Sequence, residues 1–158
     1  MRTRLQQWTL GVILVGVCGT EAFAVEQVSR AQYVTPETVK SWMEEGTSVT
    51  FLDVREADEF AAGHIKGAIN IPYDQVASLA DQLPHDQPIV LYCIHSAHRA
   101  PEAAKSLEAL GFDNVSVLEG GIVAWQVEGL TILASDSHAT PTILPVTERC
   151  ANKPKPSG

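Results

Sequence analysis

The stretch that most constrains this chain runs from Pro88 to Leu110. Ile89-Val90-Leu91-Tyr92 is a short apolar, partly β-branched run behind a proline, the pattern of a buried strand. Residues 101–110 carry Ala103, Leu107 and Leu110 at helical spacing. Pro101 near the first turn, Glu102 close behind and Gly111 just past the end are start and stop signals. Between strand and helix lies Cys93-Ile94-His95-Ser96-Ala97-His98-Arg99. A cysteine at a strand's carboxyl end, in a tight loop feeding a helix, meets backbone N–H groups and the positive end of the helix dipole. Arg99 adds a permanent charge with a fork of donors suited to an oxyanion. Such surroundings favour a thiolate, so Cys93 is expected to be a nucleophile. A buried structural thiol is the plainer alternative, because free cysteine is among the most buried residue types.

The flanking sequence repeats the same alternation. Tyr33-Val34 is expected to be a short edge strand. Thr35-Pro36-Glu37 caps a helix ending at Gly46, with Val39, Trp42 and Met43 as its apolar face. Val49-Thr50-Phe51-Leu52 reads as a core strand, and residues 56–62 as a short helix. Residues 63–67 form a turn, residues 68–71 a strand, and residues 73–83 a helix with Val76, Leu79 and Leu83 on one side. Val115-Ser116-Val117-Leu118 is a strand, and Glu119-Gly120-Gly121 turns into a helix holding Ile122 and Trp125. Strands alternating with helices imply a parallel sheet covered on both faces. Sites in such sheets lie outside the carboxyl ends of the strands, which is where Cys93 falls.

The ends of the chain read differently. Within residues 1–24, Arg2 and Arg4 precede an apolar core at residues 10–17, too short to span a bilayer, and Ala22-Phe23-Ala24 offers a small-x-small cleavage site. The expectation is a signal peptide cleaved after Ala24, a periplasmic or secreted product, and no membrane anchor after cleavage. Cys18 raises lipidation as an alternative, against which Val17 stands where a small residue is wanted. Residues 134–158 are rich in Ser, Thr and Pro and are expected to form a disordered tail. That tail holds Cys150, which in an oxidising compartment could bridge to Cys93 and so block or regulate it. The net charge of -8 and the lack of a basic run exclude a nucleic-acid surface.

Four stretches together resemble the single-domain rhodanese family. They are Leu52-Asp53-Val54-Arg55 with Glu59-Phe60, the run from Gly63-His64-Ile65-Lys66-Gly67 through Ala68-Ile69-Asn70-Ile71-Pro72, then Val90-Leu91-Tyr92-Cys93, and the run from Leu118-Glu119-Gly120-Gly121 to Trp125. The resemblance implies an α/β rhodanese-like domain over residues 30–133, with a five-stranded parallel sheet and helices on both faces. It also implies a sulfurtransferase: Cys93 takes a sulfane sulfur from thiosulfate or a persulfide and hands it to cyanide or a thiol. The partners are then a small anionic donor and a thiophilic acceptor, with no metal or organic cofactor, and the protein is expected to be a monomer. Backbone N–H groups of Ile94, His95, Ser96, Ala97, His98 and Arg99 are expected to bind the anion. Asp53 and Arg55 either brace the loop or pair with one another.

One departure bears on the chemistry. The family's loop usually places Arg five residues after Cys, whereas Arg99 stands six after Cys93, and Ser96 or Ala97 replaces the usual glycine. This Cys-x5-Arg spacing resembles rhodanese-fold phosphatases and arsenate reductases, whose wider ring holds a tetrahedral oxyanion. A Cys-dependent phosphatase or arsenate reductase is therefore one alternative, and a non-catalytic thiol, redox or binding module another. His95 and His98 either wall the anion or point to solvent. With Cys93 they also suggest a metal site, but no fourth ligand has suitable spacing. His64 is read as a turn residue bonded to backbone, and Trp42, Phe60 and Trp125 as core.

Overall fold

The computed structural model describes residues 31–144. Five strands form one parallel sheet: β1 (Gln32–Val34), β2 (Thr50–Asp53), β4 (Ile69–Asn70), β5 (Ile89–Tyr92) and β6 (Val115–Leu118), in the order β1-β6-β5-β2-β4. The helices are α1 (Pro36–Glu44), α2 (Ala57–Ala62), α3 (Arg99–Ala109) and α4 (Gly121–Val127). β5 is the middle strand and every residue in it is buried. Alternate side chains serve opposite layers, which is why its sequence is apolar throughout. Ile89, Leu91 and then Cys93 join Leu52, Val117 and the α3 residues Ala103, Ala104 and Leu107 on one face. Val90 and Tyr92 join Phe51, Leu118, Val39, Ile122 and Trp125 on the other. Phe51 and Trp125 meet edge to face with centroids 5.2 Å apart.

Thr35 caps α1 as expected, its Oγ1 accepting from the Thr38 N–H at 3.3 Å. Met43 and Leu110, by contrast, are 48% and 51% exposed. Each lies at the end of its helix, past the stretch that the sheet covers. Residues 73–83 differ more. In place of an α-helix they make two 3-10 turns, Val76–Ser78 and Ala80–Gln82, which bury Val76, Ala80 and Leu83. This connection must carry the chain from the edge strand β4 past β2 to β5. A 3-10 turn rises about 2.0 Å per residue against 1.5 Å in an α-helix, which suits a crossing between two prolines.

The turn expected at residues 63–67 contains a strand, β3 (His64–Ile65), paired antiparallel with β7 (Ile132–Leu133). The chain after β7 also departs from the expected tail. Ser135 N–H donates to Ala61 O at 2.9 Å, Thr142 N–H donates to Ala62 O at 3.0 Å, and Ile143 packs on the Trp125 layer. Residues 134–144 thus run along α2 rather than away from the body, because the α2 carboxyl end leaves carbonyls that need donors. The signal peptide expected at 1–24, Cys150 and the rest of the tail lie outside the described residues.

Asp53 and Arg55 are fully buried and paired: Arg55 Nε donates to Asp53 Oδ1 at 2.9 Å, and Nη2 donates to Asp53 Oδ2 and, at 2.6 Å, to Gly63 O. Removing one partner strands the other charge in the core. Asp53→Ala is expected to destabilise the fold by about 3–5 kcal/mol, read as the shift in a urea denaturation curve.

Candidate active site

Cys93 follows directly on β5 and is 5% exposed. Two elements hold its backbone. The Cys93 and Ile94 carbonyls accept from the N–H groups of Ile122 and Val123 at 3.0 and 3.3 Å, so the first turn of α4 clasps the loop's entry. Ser96 closes it from within, its Oγ accepting from the Cys93 N–H at 3.4 Å. Ser96 is buried and has φ 53, the left-handed conformation in which glycine is at ease. A serine there accepts a strain of about 1–2 kcal/mol, which the hydroxyl's bond to the loop offsets.

Close approach explains Gly121. Its φ is 62, and a Cβ there would lie 2.4 Å from both the Cys93 and Ile94 carbonyl oxygens. The loop can rest on α4 only where that side chain is missing.

Among the described residues, the backbone N–H groups of Ile94, His95, Ser96, Ala97 and His98 donate to no protein acceptor. Five consecutive donors after the cysteine are thus unspent within the described residues, and backbone N–H groups of this kind can hold an anion. The side chains of His95 and His98 are exposed and that of Ile94 is buried. Arg99 opens α3 and is 6% exposed. Its Nη1 and Nη2 donate to Glu59 Oε2 and Oε1 at 2.7 and 3.0 Å. Glu59 is in turn held by the Glu56 N–H at 3.1 Å across the start of α2. Burial pushes the Glu59 carboxyl up, but the Arg99 hydrogen bonds, the Glu56 N–H and the charges of Arg99 and Arg55 outweigh it and leave it below the ordinary range.

The sequence points to Arg99 but not to its carboxylate partner, forty positions earlier in a helix of its own. The Glu59-Phe60 pair in the motif was the available signal. Asp53 and Arg55 make no hydrogen bond to residues 94–98. Arg55 packs instead near Tyr92, the residue before Cys93, whose ring centroid lies 5.7 Å from the guanidinium carbon and whose hydroxyl accepts from the Ile65 N–H at 3.1 Å. Burial pushes the Tyr92 phenol far up, so it stays neutral. His64 bonds to Phe60 O at 2.9 Å and stacks on the Phe60 ring. Phe60 and Trp42 are only half-buried, whereas Trp125 is core. A cavity of about 560 Å³ opens beside the loop, lined by Pro36, Glu37, His95, Glu119 and Val123 among others.

A family model described as a rhodanese-like domain matches residues 35–128. The chain is 36% identical over 111 residues to a Mycobacterium tuberculosis protein named "Probable adenylyltransferase/sulfurtransferase MoeZ". That match takes in 68% of this chain and 28% of the relative, so the chain spans under a third of the relative's length. It is 39% identical over 83 residues to the thiosulfate sulfurtransferase GlpE of Shewanella oneidensis, covering 52% of this chain and 81% of that protein. Among solved structures, a rhodanese-related protein from Thermoplasma volcanium superposes with a TM-score of 0.58 at 29% identity, over 65% of this chain and 97% of that one.

Two outcomes follow from the geometry. Gly121→Ala is expected to destabilise the domain by at least about 2 kcal/mol, from backbone strain and overlap with the loop carbonyls. Thermal denaturation measures it. Because the Glu59 carboxyl is held below the ordinary glutamate value of 4.5, its pairing stabilises the fold above that pH and is lost as pH falls through the folded-state value. The stability difference between wild type and Glu59→Gln is therefore expected at neutral pH and to vanish in acid. Urea titrations at both pH values test it.

Proposed function

Since the chain belongs to the rhodanese-like domain family, we propose that it is a sulfurtransferase working through a persulfide on Cys93. The Cys93 thiolate attacks the outer sulfur of thiosulfate. The new bond joins Sγ to that sulfur, the sulfur–sulfur bond of thiosulfate breaks, and sulfite leaves with the electron pair. In the second half, cyanide or a thiolate attacks the same outer sulfur and Cys93 departs as thiolate, ready for another turn. Neither half needs an external oxidant or reductant.

The observation that carries this reading is the run of unspent N–H groups from Ile94 to His98 directly after Cys93 at the end of β5. A persulfide and an incoming thiosulfate are both anionic, and preorganised backbone donors stabilise such charge without reorganising during the reaction. The sulfurtransferase names of relatives support the same reading. The Cys-x5-Arg spacing favours a second reading, a Cys-dependent phosphatase or arsenate reductase. Against it, Arg99 is already engaged by Glu59. The leader pattern in residues 1–24 supports a periplasmic or secreted setting for the reaction.

Intact mass after incubation with thiosulfate, without reductant, tests the proposal. The expected gain is one sulfur atom, absent in Cys93→Ser and removed by cyanide. No sulfur uptake together with turnover of a phosphate ester or arsenate would overturn it in favour of the second reading.

A further inference from the structure

The carboxylate on Arg99 bears on which anions the loop accepts. A phosphate or arsenate attacked by Cys93 would bring its central atom next to Sγ, with its equatorial oxygens inside the ring of N–H groups. Holding that charge calls for the guanidinium fork as well as the backbone donors. Glu59 occupies the fork side by side, with one carboxylate oxygen on each Nη at 2.7 and 3.0 Å. This is the planar, two-point geometry an oxyanion would use. An incoming dianion would have to compete for the guanidinium charge with a carboxylate only 12% exposed and held by the Glu56 N–H. Thiosulfate makes a smaller demand. In-line attack presents only its outer sulfur to the ring and keeps the sulfite oxygens one bond further out.

We propose that Glu59, acting through Arg99, is a specificity-determining residue that withholds the guanidinium from tetrahedral oxyanions and restricts the Cys93 loop to sulfane sulfur. The inference rests on the sulfurtransferase reading and names what that site rejects. Glu59 is a positioning residue here, since it touches Arg99 and not the reacting atoms.

The test follows alkylation of Cys93 by iodoacetamide in the full chain, read by peptide mass, as inorganic phosphate is raised. Half-protection of Glu59→Gln is expected at a phosphate concentration lower than that for wild type by about tenfold or more, the size expected when a charge-assisted hydrogen-bond pair becomes available. Adding Arg99→Met to Glu59→Gln is expected to abolish the gain. Damage to the fold would not improve phosphate binding, so the gain separates this role from a structural one. Equal protection in wild type and Glu59→Gln overturns the proposal, as does a gain that survives Arg99→Met. Should Glu59→Gln fail to fold, Glu59→Asp, one methylene shorter, is expected to shift in the same direction by a smaller factor, and no shift overturns the proposal. Failure of wild type to take sulfur from thiosulfate would sink the sulfurtransferase reading instead. The phosphate comparison would still decide whether Glu59 controls access to Arg99.

Discussion

A charge buried away from water needs an opposite charge and enough hydrogen-bond partners, and Arg55 imposes that demand on the end of β2. Asp53 supplies the charge and Gly63 O a further acceptor. The backbone of the same turn is also tied down, because Asn70 Nδ2 donates to the carbonyls of Asp53 and Arg55 at 3.0 and 2.9 Å. One buried ion pair therefore sets the positions of the β2 end, the start of β3 and the edge strand β4. Such pairs add little net stability, since desolvation offsets much of the attraction. Their effect is on geometry, because any arrangement that separates them strands a charge.

The same turn launches α2, and α2 carries Glu59 to the loop. The loop is thus gripped at three points by different chemistry. α4 bonds its first carbonyls, Ser96 bonds its first N–H from inside, and Glu59 holds the arginine at its exit. These contacts use the loop's carbonyls and its cation and leave the N–H groups of Ile94 to His98 for a ligand. The strained φ of Ser96 belongs to this arrangement. It turns the backbone within the six residues between the end of β5 and the start of α3.

Much of this was legible from local pattern. The apolar runs at residues 89–92 and 115–118 read as buried strands, and Thr35-Pro36-Glu37 reads as a helix start, and each is found as such. The misread segments share a cause, which is that their conformation answers to a distant partner. Residues 73–83 have helical spacing, yet the crossing over β2 demands a longer rise per residue. His64 and Ile65 look like a turn until Ile132 and Leu133 arrive to pair with them. Residues 134–144 have a tail's composition, but the free carbonyls of Ala61 and Ala62 draw them in.

At the site the division is similar. Sequence alone determined that Cys93 ends a central strand, that a helix follows it, and that Arg99 stands six residues on. Each of these depends on near neighbours, through side-chain periodicity and capping. Only the tertiary structure decided that Gly121 must lack a side chain, that Ser96 takes the left-handed turn, and that Arg99 is answered by Glu59. The first and last of these depend on atoms brought within 4 Å from far apart in the chain, and the second on the path the loop takes between them. Sequence spacing carries no measure of such distances until the sheet has closed.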